Sequence, residues 1–257
     1  MSRFDDLGRD GDVNLAATWA SMSGRGIGAA RRHGPLQMCA TGIGEAFFNG
    51  AYLTARCDDP DELVQVAIGF MADHDVPWLL WVRDGVDDAL LEAGRAAGLR
   101  DAGGPPSMGM APIPTIPSPP PELEVHEITS ADDVAAHCDL TSRAFGFPVE
   151  IATRLVEGTL TDPSICLLLG SVRGEPVSTA LVSISDTTAG IYNVGTPSEH
   201  QRRGYGAALT WAAIDAGVRR GCDRTILQAS AMGRPVYEAM GYRHLGDYVQ
   251  LLGPPER

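Results

Sequence analysis

The chain has 257 residues, of which 44% are apolar and 21% charged, enough for a buried core and too apolar for intrinsic disorder. Twenty Lys plus Arg against 33 Asp plus Glu give a net charge of −13. That balance disfavours a general nucleic-acid or anionic-membrane binder, because such partners demand a basic footprint. It mildly favours a cationic partner and otherwise serves solubility.

All 20 basic residues are arginine. This excludes a lysine Schiff base, a pyridoxal phosphate lysine and the lysine of a nucleotide-hydrolase P-loop. With many Ala, Gly and Pro, the composition fits a GC-rich bacterial genome. Cys39, Cys57, Cys138, Cys166 and Cys222 are odd in number, scattered and without a C-x-x-C spacing. Reduced thiols in a cytoplasmic protein are expected, with neither a disulfide framework nor a metal site. There is no basic start leading into an apolar stretch, so no signal peptide is expected, and no apolar run reaches membrane-spanning length.

A weak helical pattern runs from Asp12 to about Ala30, broken by Ser23-Gly24-Arg25-Gly26-Ile27-Gly28. That glycine cluster invites comparison with a dinucleotide-binding turn, but such a turn follows an apolar strand. Ala16 to Ala20 reads as helix, so a surface loop is expected. Strands are expected over Leu36–Thr41 and Phe47–Ala55, then a helix from Pro60, whose proline and acidic Asp61 and Glu62 suit a helix start. Trp78–Val82 reads as a buried strand, Asp87–Ala97 as a helix ending at Gly98, and Met108–Ala111 as a strand.

Eight prolines between Pro105 and Pro121 remove N–H donors and fix φ, which argues against helix or interior strand and for an extended connector. The expected organisation is therefore 1–111, a linker at 112–121, and 122–257. In the second part Glu124–Ile128 reads as a strand. A helix capped by Thr129 or Ser130 runs to about Ala144, and a shorter one covers Val149–Glu157. Ile165–Ser171 and Pro176–Ser185 read as a hairpin about Arg173-Gly174. Ile191–Val194 is the next strand, followed by a loop and a helix with Tyr205, Ala208, Leu209, Ala212 and Ala216 on one face. A strand at Thr225–Gln228, a short helix holding Tyr237, and strands near Tyr248–Leu252 complete the chain.

The loop Gln201-Arg202-Arg203-Gly204-Tyr205-Gly206 draws attention because it opens a helix. The first helical N–H groups lack intrahelical partners and carry the positive end of the dipole, which suits a phosphate. Gly204 and Gly206 clear side chains from that approach, and Arg202 and Arg203 add charge. A surface turn capping a helix is the bland alternative.

Gln201, Gly204 and Gly206, followed at the right spacing by Tyr237, Gly241 and Tyr242, resemble the GCN5-related N-acetyltransferase (GNAT) family. That family carries Q/R-x-x-G-x-G/A after its fourth strand, and later a Tyr shortly before Gly and an aromatic. The resemblance spans about Glu122 to Leu252. It implies an α/β (α+β) fold, a mixed twisted sheet flanked by helices, and acetyl-CoA as cosubstrate for direct transfer to an amine in a ternary complex. It also implies that Arg202 to Ala207 take the pyrophosphate, that Val194, Gly195 and Thr196 pair with the pantetheine arm, and that Tyr237 protonates the leaving thiolate. Ser230 stands where the family often has an Asn touching that arm. No general base is identified: nothing acidic lies from Thr187 to Pro197, and Asp186, Glu199, Glu150, Glu157 and His200 have other readings.

Asp88–Leu99 also echoes Pro235–Tyr242, each reading short helix, glycine, apolar residue, strand. The first half is thus expected to be a degenerate GNAT-like domain without a cofactor loop, in tandem with the second; chance similarity of two α/β segments is the alternative. An amine-bearing, cationic acceptor is expected, with no nucleic-acid or membrane partner, and a homo-oligomer stays open. The different-class reading is a GNAT-fold acyl-CoA-binding or regulatory module without turnover. Transfer of a longer acyl chain, or to a hydroxyl, is a further alternative.

Overall fold

The structure is a computed structural model that describes residues 3–24 and 28–253. Arg25, Gly26 and Ile27, the centre of the glycine cluster read as a surface loop, lie outside the described residues. The chain divides into two compact units. The first comprises 1–108, 228–231 and 244–257, and the second 109–227 and 232–243.

In the first unit, helix α1 (Arg3–Gly24) precedes strands β1 (Ala29–His33), β2 (Leu36–Ala40) and β3 (Asn49–Leu53). Helix α2 (Pro60–Ala72), strand β4 (Leu79–Arg83), helix α3 (Asp88–Ala96) and strands β5 (Arg100–Asp101) and β6 (Pro106–Met110) follow. Strand β12 (Arg243–Leu252) returns from the chain's end to lie antiparallel to β4, with Tyr248 opposite Arg83 and Leu252 opposite Leu79. The order is β1-β2-β3-β4-β12, in which only β3–β4 is parallel. Leu36, Met38, Leu80, Leu90, Met71 and Leu251 are fully buried between α2, α3 and the sheet.

Two features here escape the periodicity argument. Strand β1 is almost wholly exposed, so it shows no alternation of apolar and polar residues, and α1 extends nine residues before Asp12. The strand expected over Met108–Ala111 is present and starts earlier than the run of prolines suggested. Pro106 is the first residue of β6, a position where its missing N–H is tolerated, and the strand behind it is buried.

The second unit runs β7 (Leu123–Glu127), α4 (Ala131–Phe145), α5 (Val149–Glu157), β8 (Ile165–Val172), β9 (Glu175–Ser185) and β10 (Thr188–Gly195). Helix α6 (Tyr205–Val218), strand β11 (Arg224–Gln228) and helix α7 (Arg234–Met240) complete it. Its strand order is β11-β10-β9-β8-β7, with only β10–β11 parallel. Ser130 caps α4 by accepting from Asp133 N, as its position predicts. Arg173 (φ 53°) and Gly174 (φ 80°) make the expected hairpin turn.

Helices cover both faces of this sheet. Gly170 lies opposite Ser178 and turns its bare face to Leu209 of α6, whereas Gly195 lies opposite Thr179 and turns its own to Ala144 of α4. Ser178 and Thr179 are neighbours on β9, and neighbours on a strand face opposite ways. The sheet is thus mixed and flanked by helices. Both units repeat one order: an antiparallel pair, a helical crossover to a parallel strand, a short helix, then a glycine at positive φ, Gly98 (90°) or Gly241 (101°).

Candidate active site

Strand β10 is the element that makes a cleft. It pairs in parallel with β11 at Thr188, Ala189 and Gly190, opposite Arg224, Thr225 and Ile226, and beyond Gly190 that pairing ends. On its other side β10 follows β9 to Tyr192, where the register breaks and resumes at Gly195. Asn193 and Val194 together face one β9 residue there, and Asn193 adopts φ 49°. A bulge of this kind bends a strand and frees peptide groups from the ladder.

The end of β10 is tied down by side chains. The Ser178 hydroxyl bonds the Gly195 carbonyl at 3.0 Å and the Thr196 hydroxyl at 2.8 Å. Gln201 donates Nε2 to the Thr196 carbonyl at 3.0 Å, so the first residue of the motif staples the loop to the strand it leaves.

Helix α6 then opens at Gly204, in the left-handed region at φ 82°, preceded by Arg202 at φ 61°. No side chain caps this end, and its first turn holds no acidic residue. The first amides of α6 therefore face outward with the dipole unopposed. A Cβ on Gly204 would meet nothing within 4 Å, and one on Gly206 would meet Thr196 Oγ1 at 3.4 Å and Val194 at 3.9 Å. Arg202 and Arg203 are exposed, and Arg203 donates to the Glu199 carbonyl at 3.3 Å.

The corresponding helix of the first unit is closed. The Asp59 carboxylate caps α2 by accepting from Glu62 N, with Asp61 and Glu62 in the first turn. Three acidic groups at that end repel an anion.

Beside the α6 opening lies a cleft of about 610 Å³ lined by Ala207 and Trp211 of α6, Pro235, Val236, Ala239 and Met240 of α7, and Pro117. Ala207 belongs to both the helix mouth and the cleft.

Tyr237 is half-buried on α7, its ring edge-on to Tyr242 at 5.8 Å. Burial raises its phenol above the usual value, while a hydrogen bond with Thr210 acts the other way. Thr210 gives its own proton to the Gly206 carbonyl at 2.9 Å. With its ionisation raised by burial, the phenol stays protonated at neutral pH. Tyr242 is buried against the Thr225 hydroxyl at 2.8 Å, and burial pushes its ionisation far up; it is a packing residue.

The remaining sequence candidates separate. Val194, Gly195, Thr196, Gln201, Arg202, Arg203, Gly204, Tyr205, Gly206, Ala207 and Tyr237 all fall in the second unit. Tyr205 is buried, which leaves its backbone for binding. Ser230 is exposed and groups with the first unit through 228–231. Glu199 is bound by Arg143 and held down to about 2 by its own backbone N–H and by that arginine, which makes it a poor proton acceptor. His200 lies 3.8 Å from Glu175, and Glu150 and Glu157 are exposed on α5.

Ser178, Thr210 and Arg143 support the site without any sequence signal. Each is recognisable only once strand register or helix packing brings it there. Among the described residues there is no cluster able to hold a metal ion, and no helix is long and apolar enough to cross a membrane. All five cysteines are free thiols, and burial pushes Cys39 and Cys166 up to about 12.

A bulged strand leaving its parallel neighbour, followed by an uncapped glycine-led helix, is the arrangement of a GNAT-type fold. Residues 129–242 match the model of the Acetyltransferase (GNAT) family. Solved structures similar in fold include a GCN5-related N-acetyltransferase from Kribbella flavida, with TM-score 0.74, 19% identity, and 94% of this chain and 95% of that one covered. Another is a tandem GNAT protein from the clavulanic acid biosynthesis pathway (TM-score 0.66, 14% identity, 94% and 89% covered). A third is a GCN5-related N-acetyltransferase from Sphaerobacter thermophilus (0.63, 19%, 85% and 76%). No curated protein matches the chain.

Proposed function

We propose that the protein is an acetyl-CoA-dependent N-acetyltransferase that passes the acetyl group directly from the thioester to an amine within a ternary complex. One observation carries this reading: α6 opens uncapped and free of acid at Gly204, beside a strand released from its parallel partner, whereas the equivalent α2 is capped by Asp59. The amides from Arg202 to Ala207 would take the pyrophosphate, with Arg202 and Arg203 adding charge. Val194, Gly195 and Thr196 would offer the freed strand edge to the pantetheine arm, and Gln201 holds that edge in place. Ser230 is offered as a contact to the same arm.

The amine nitrogen attacks the thioester carbonyl and the carbon–sulfur bond breaks. Tyr237 gives its proton to the departing thiolate. The ammonium proton leaves to solvent before attack, and the second nitrogen proton, released as the adduct collapses, restores the Tyr237 phenol through solvent. The first unit is read as a degenerate GNAT-like partner (1–111) joined through 112–121 to the active domain (122–257), in a cytoplasmic protein whose thiols stay reduced.

The competing reading is a CoA-binding module without turnover. What favours it is that Glu199, the carboxylate of the loop, is bound by Arg143 and so is a poor base. An acceptor screen with acetyl-CoA, following free thiol release on the wild type and Tyr237→Phe, separates the two. Transfer by the wild type that falls on the order of 10²-fold in Tyr237→Phe, with CoA affinity kept, supports the enzyme. Binding without release across all amines supports the module.

A further inference from the structure

Strand β1 is the free edge of the first unit's sheet. It pairs with β2 alone, from Ala29 opposite Ala40 to His33 opposite Leu36, with no bulge. The two-residue turn Gly34-Pro35, with Gly34 at φ 52°, makes His33 and Leu36 the bonded closing pair. Alternation then turns the N–H and C=O groups of Ala29, Arg31 and His33 toward β2, and those of Ala30 and Arg32 away from it. Among the described residues no other backbone group bonds these outer groups. Ala30 to His33 are all exposed.

An open edge invites another strand, and proteins blunt it with a bulge, a proline, a covering element or charge. Strand β1 has only the last, and its charge is positive in a chain of net charge −13. On one face the Arg31 guanidinium lies over the Phe70 ring of α2, 4.8 Å from its centroid, and His33 meets Glu62 of α2 at 3.1 Å. On the other face Ala30 adjoins Gly24 of α1. There Arg32 donates to the Gly34 carbonyl at 3.0 Å and to the Thr54 hydroxyl at 3.4 Å. Among the described residues, a ring, a carbonyl and a hydroxyl thus hold these two arginines in place, and no carboxylate neutralises them.

We propose that β1 takes up an extended segment of another protein that carries two adjacent carboxylates. Lying antiparallel outside β1, the segment bonds the backbone of Ala30 and Arg32. Its successive side chains fall on opposite faces, so neighbouring acids meet Arg31 and Arg32 together. A second copy of β1 is the wrong occupant. Full antiparallel overlap would set Arg31 opposite Arg31, and like charges across a strand pair destabilise it. The edge lies in the first unit and acts whether or not the second unit transfers an acyl group.

Fluorescence anisotropy of labelled Thr-Val-Glu-Glu-Val-Thr and Thr-Val-Gln-Gln-Val-Thr, titrated with the whole chain at low and high salt, tests this. The Glu-Glu peptide should bind at least about 10-fold tighter, weaken with salt, and lose about 10-fold in Arg31→Gln/Arg32→Gln. It should also slow amide exchange at Ala30 and Arg32. Ala30→Pro, which removes one outer N–H and leaves both charges, should abolish binding with the circular dichroism spectrum unchanged. Absence of saturable binding, equal binding of the two peptides, or binding that leaves exchange at Ala30 and Arg32 unaltered overturns the proposal. A dimer in sedimentation that Ala30→Pro dissolves gives the edge to a second copy and overturns it too.

Discussion

Tyr248, on the last strand, donates its hydroxyl to Asp12, on the first helix, at 2.7 Å across 236 residues of sequence. Asp12 also receives Arg83 at 3.0 Å and Arg9 at 3.2 Å, and Asp87 lies 3.8 Å from Arg83. The first unit is therefore closed by a strand supplied from the far end of the chain, locked through a buried ionic cluster beneath Tyr52 and Trp81. Replacing Tyr248 by Phe leaves a buried carboxylate oxygen unpaired and should cost about 1–3 kcal/mol, read in urea unfolding of the first unit. Unchanged stability in Tyr248→Phe would show that the strand is held by its ladder alone.

The same carboxyl makes the first unit sensitive to pH. Burial raises Asp12 from 3.8 to about 6, against the opposing pull of Arg83, Tyr248 and Arg9. A carboxyl whose folded value lies above its unfolded one binds its proton more tightly when folded. Its contribution is fully present below pH 3.8 and is lost as pH rises through about 6, a change on the order of 3 kcal/mol. Asp12→Asn should flatten this part of the stability–pH curve. If the slope between those pH values is the same in the variant, the cluster holds Asp12 ionised throughout.

His137 has the opposite sign in the second unit. It is fully buried on α4 against the Thr179 hydroxyl, and desolvation lowers it from 6.5 to about 4. The unfolded chain then binds the proton more readily. Stability from this residue is present above pH 6.5 and falls away as pH drops through about 4, again on the order of 3 kcal/mol. Mild acid should thus weaken the second unit while it favours the first. Hydrogen exchange followed by residue at two pH values reads both units at once, and parallel behaviour would refute the opposed signs.

Ser178 should matter to binding without touching ligand. Its hydroxyl is fully buried and bonds both the Gly195 carbonyl and the Thr196 hydroxyl. Ser178→Ala unpairs them and loosens the strand end on which the proposed pantetheine contact depends. The expected result is a stability loss of about 1–3 kcal/mol and, by calorimetry, weaker CoA binding. A stability loss with CoA affinity intact would detach the strand end from the cofactor.

What the residues reveal in advance depends on whether the signal is local. Helix α2 announces itself by Pro60 and its acidic first turn, and the β8–β9 hairpin by Arg173-Gly174, because capping and turn geometry are short-range. Strand β1 has no such signal, since Arg31, Arg32 and His33 are exposed on an edge. The partner of β12 is equally illegible: pairing with β4 is a choice between distant strands that no window of sequence contains. The helix mouth is legible because Gly204 and Gly206 declare a bare backbone.

The glycines of the helix mouth should separate fold from binding. At Gly204 the space is open but φ is 82°, so Gly204→Ala is strained through its backbone by about 1–2 kcal/mol whatever the room. Gly204→Glu adds a negative charge at the uncapped amides and should abolish CoA binding outright. At Gly206 the helix conformation suits any residue and the nearest atom stands 3.4 Å from a new Cβ, so Gly206→Ala should fold normally. The family motif also carries alanine at this position, so CoA affinity and thermal stability should both stay close to those of the wild type. If Gly204→Glu binds CoA as the wild type does, the phosphate lies elsewhere, and the acyltransferase reading loses the observation that carries it.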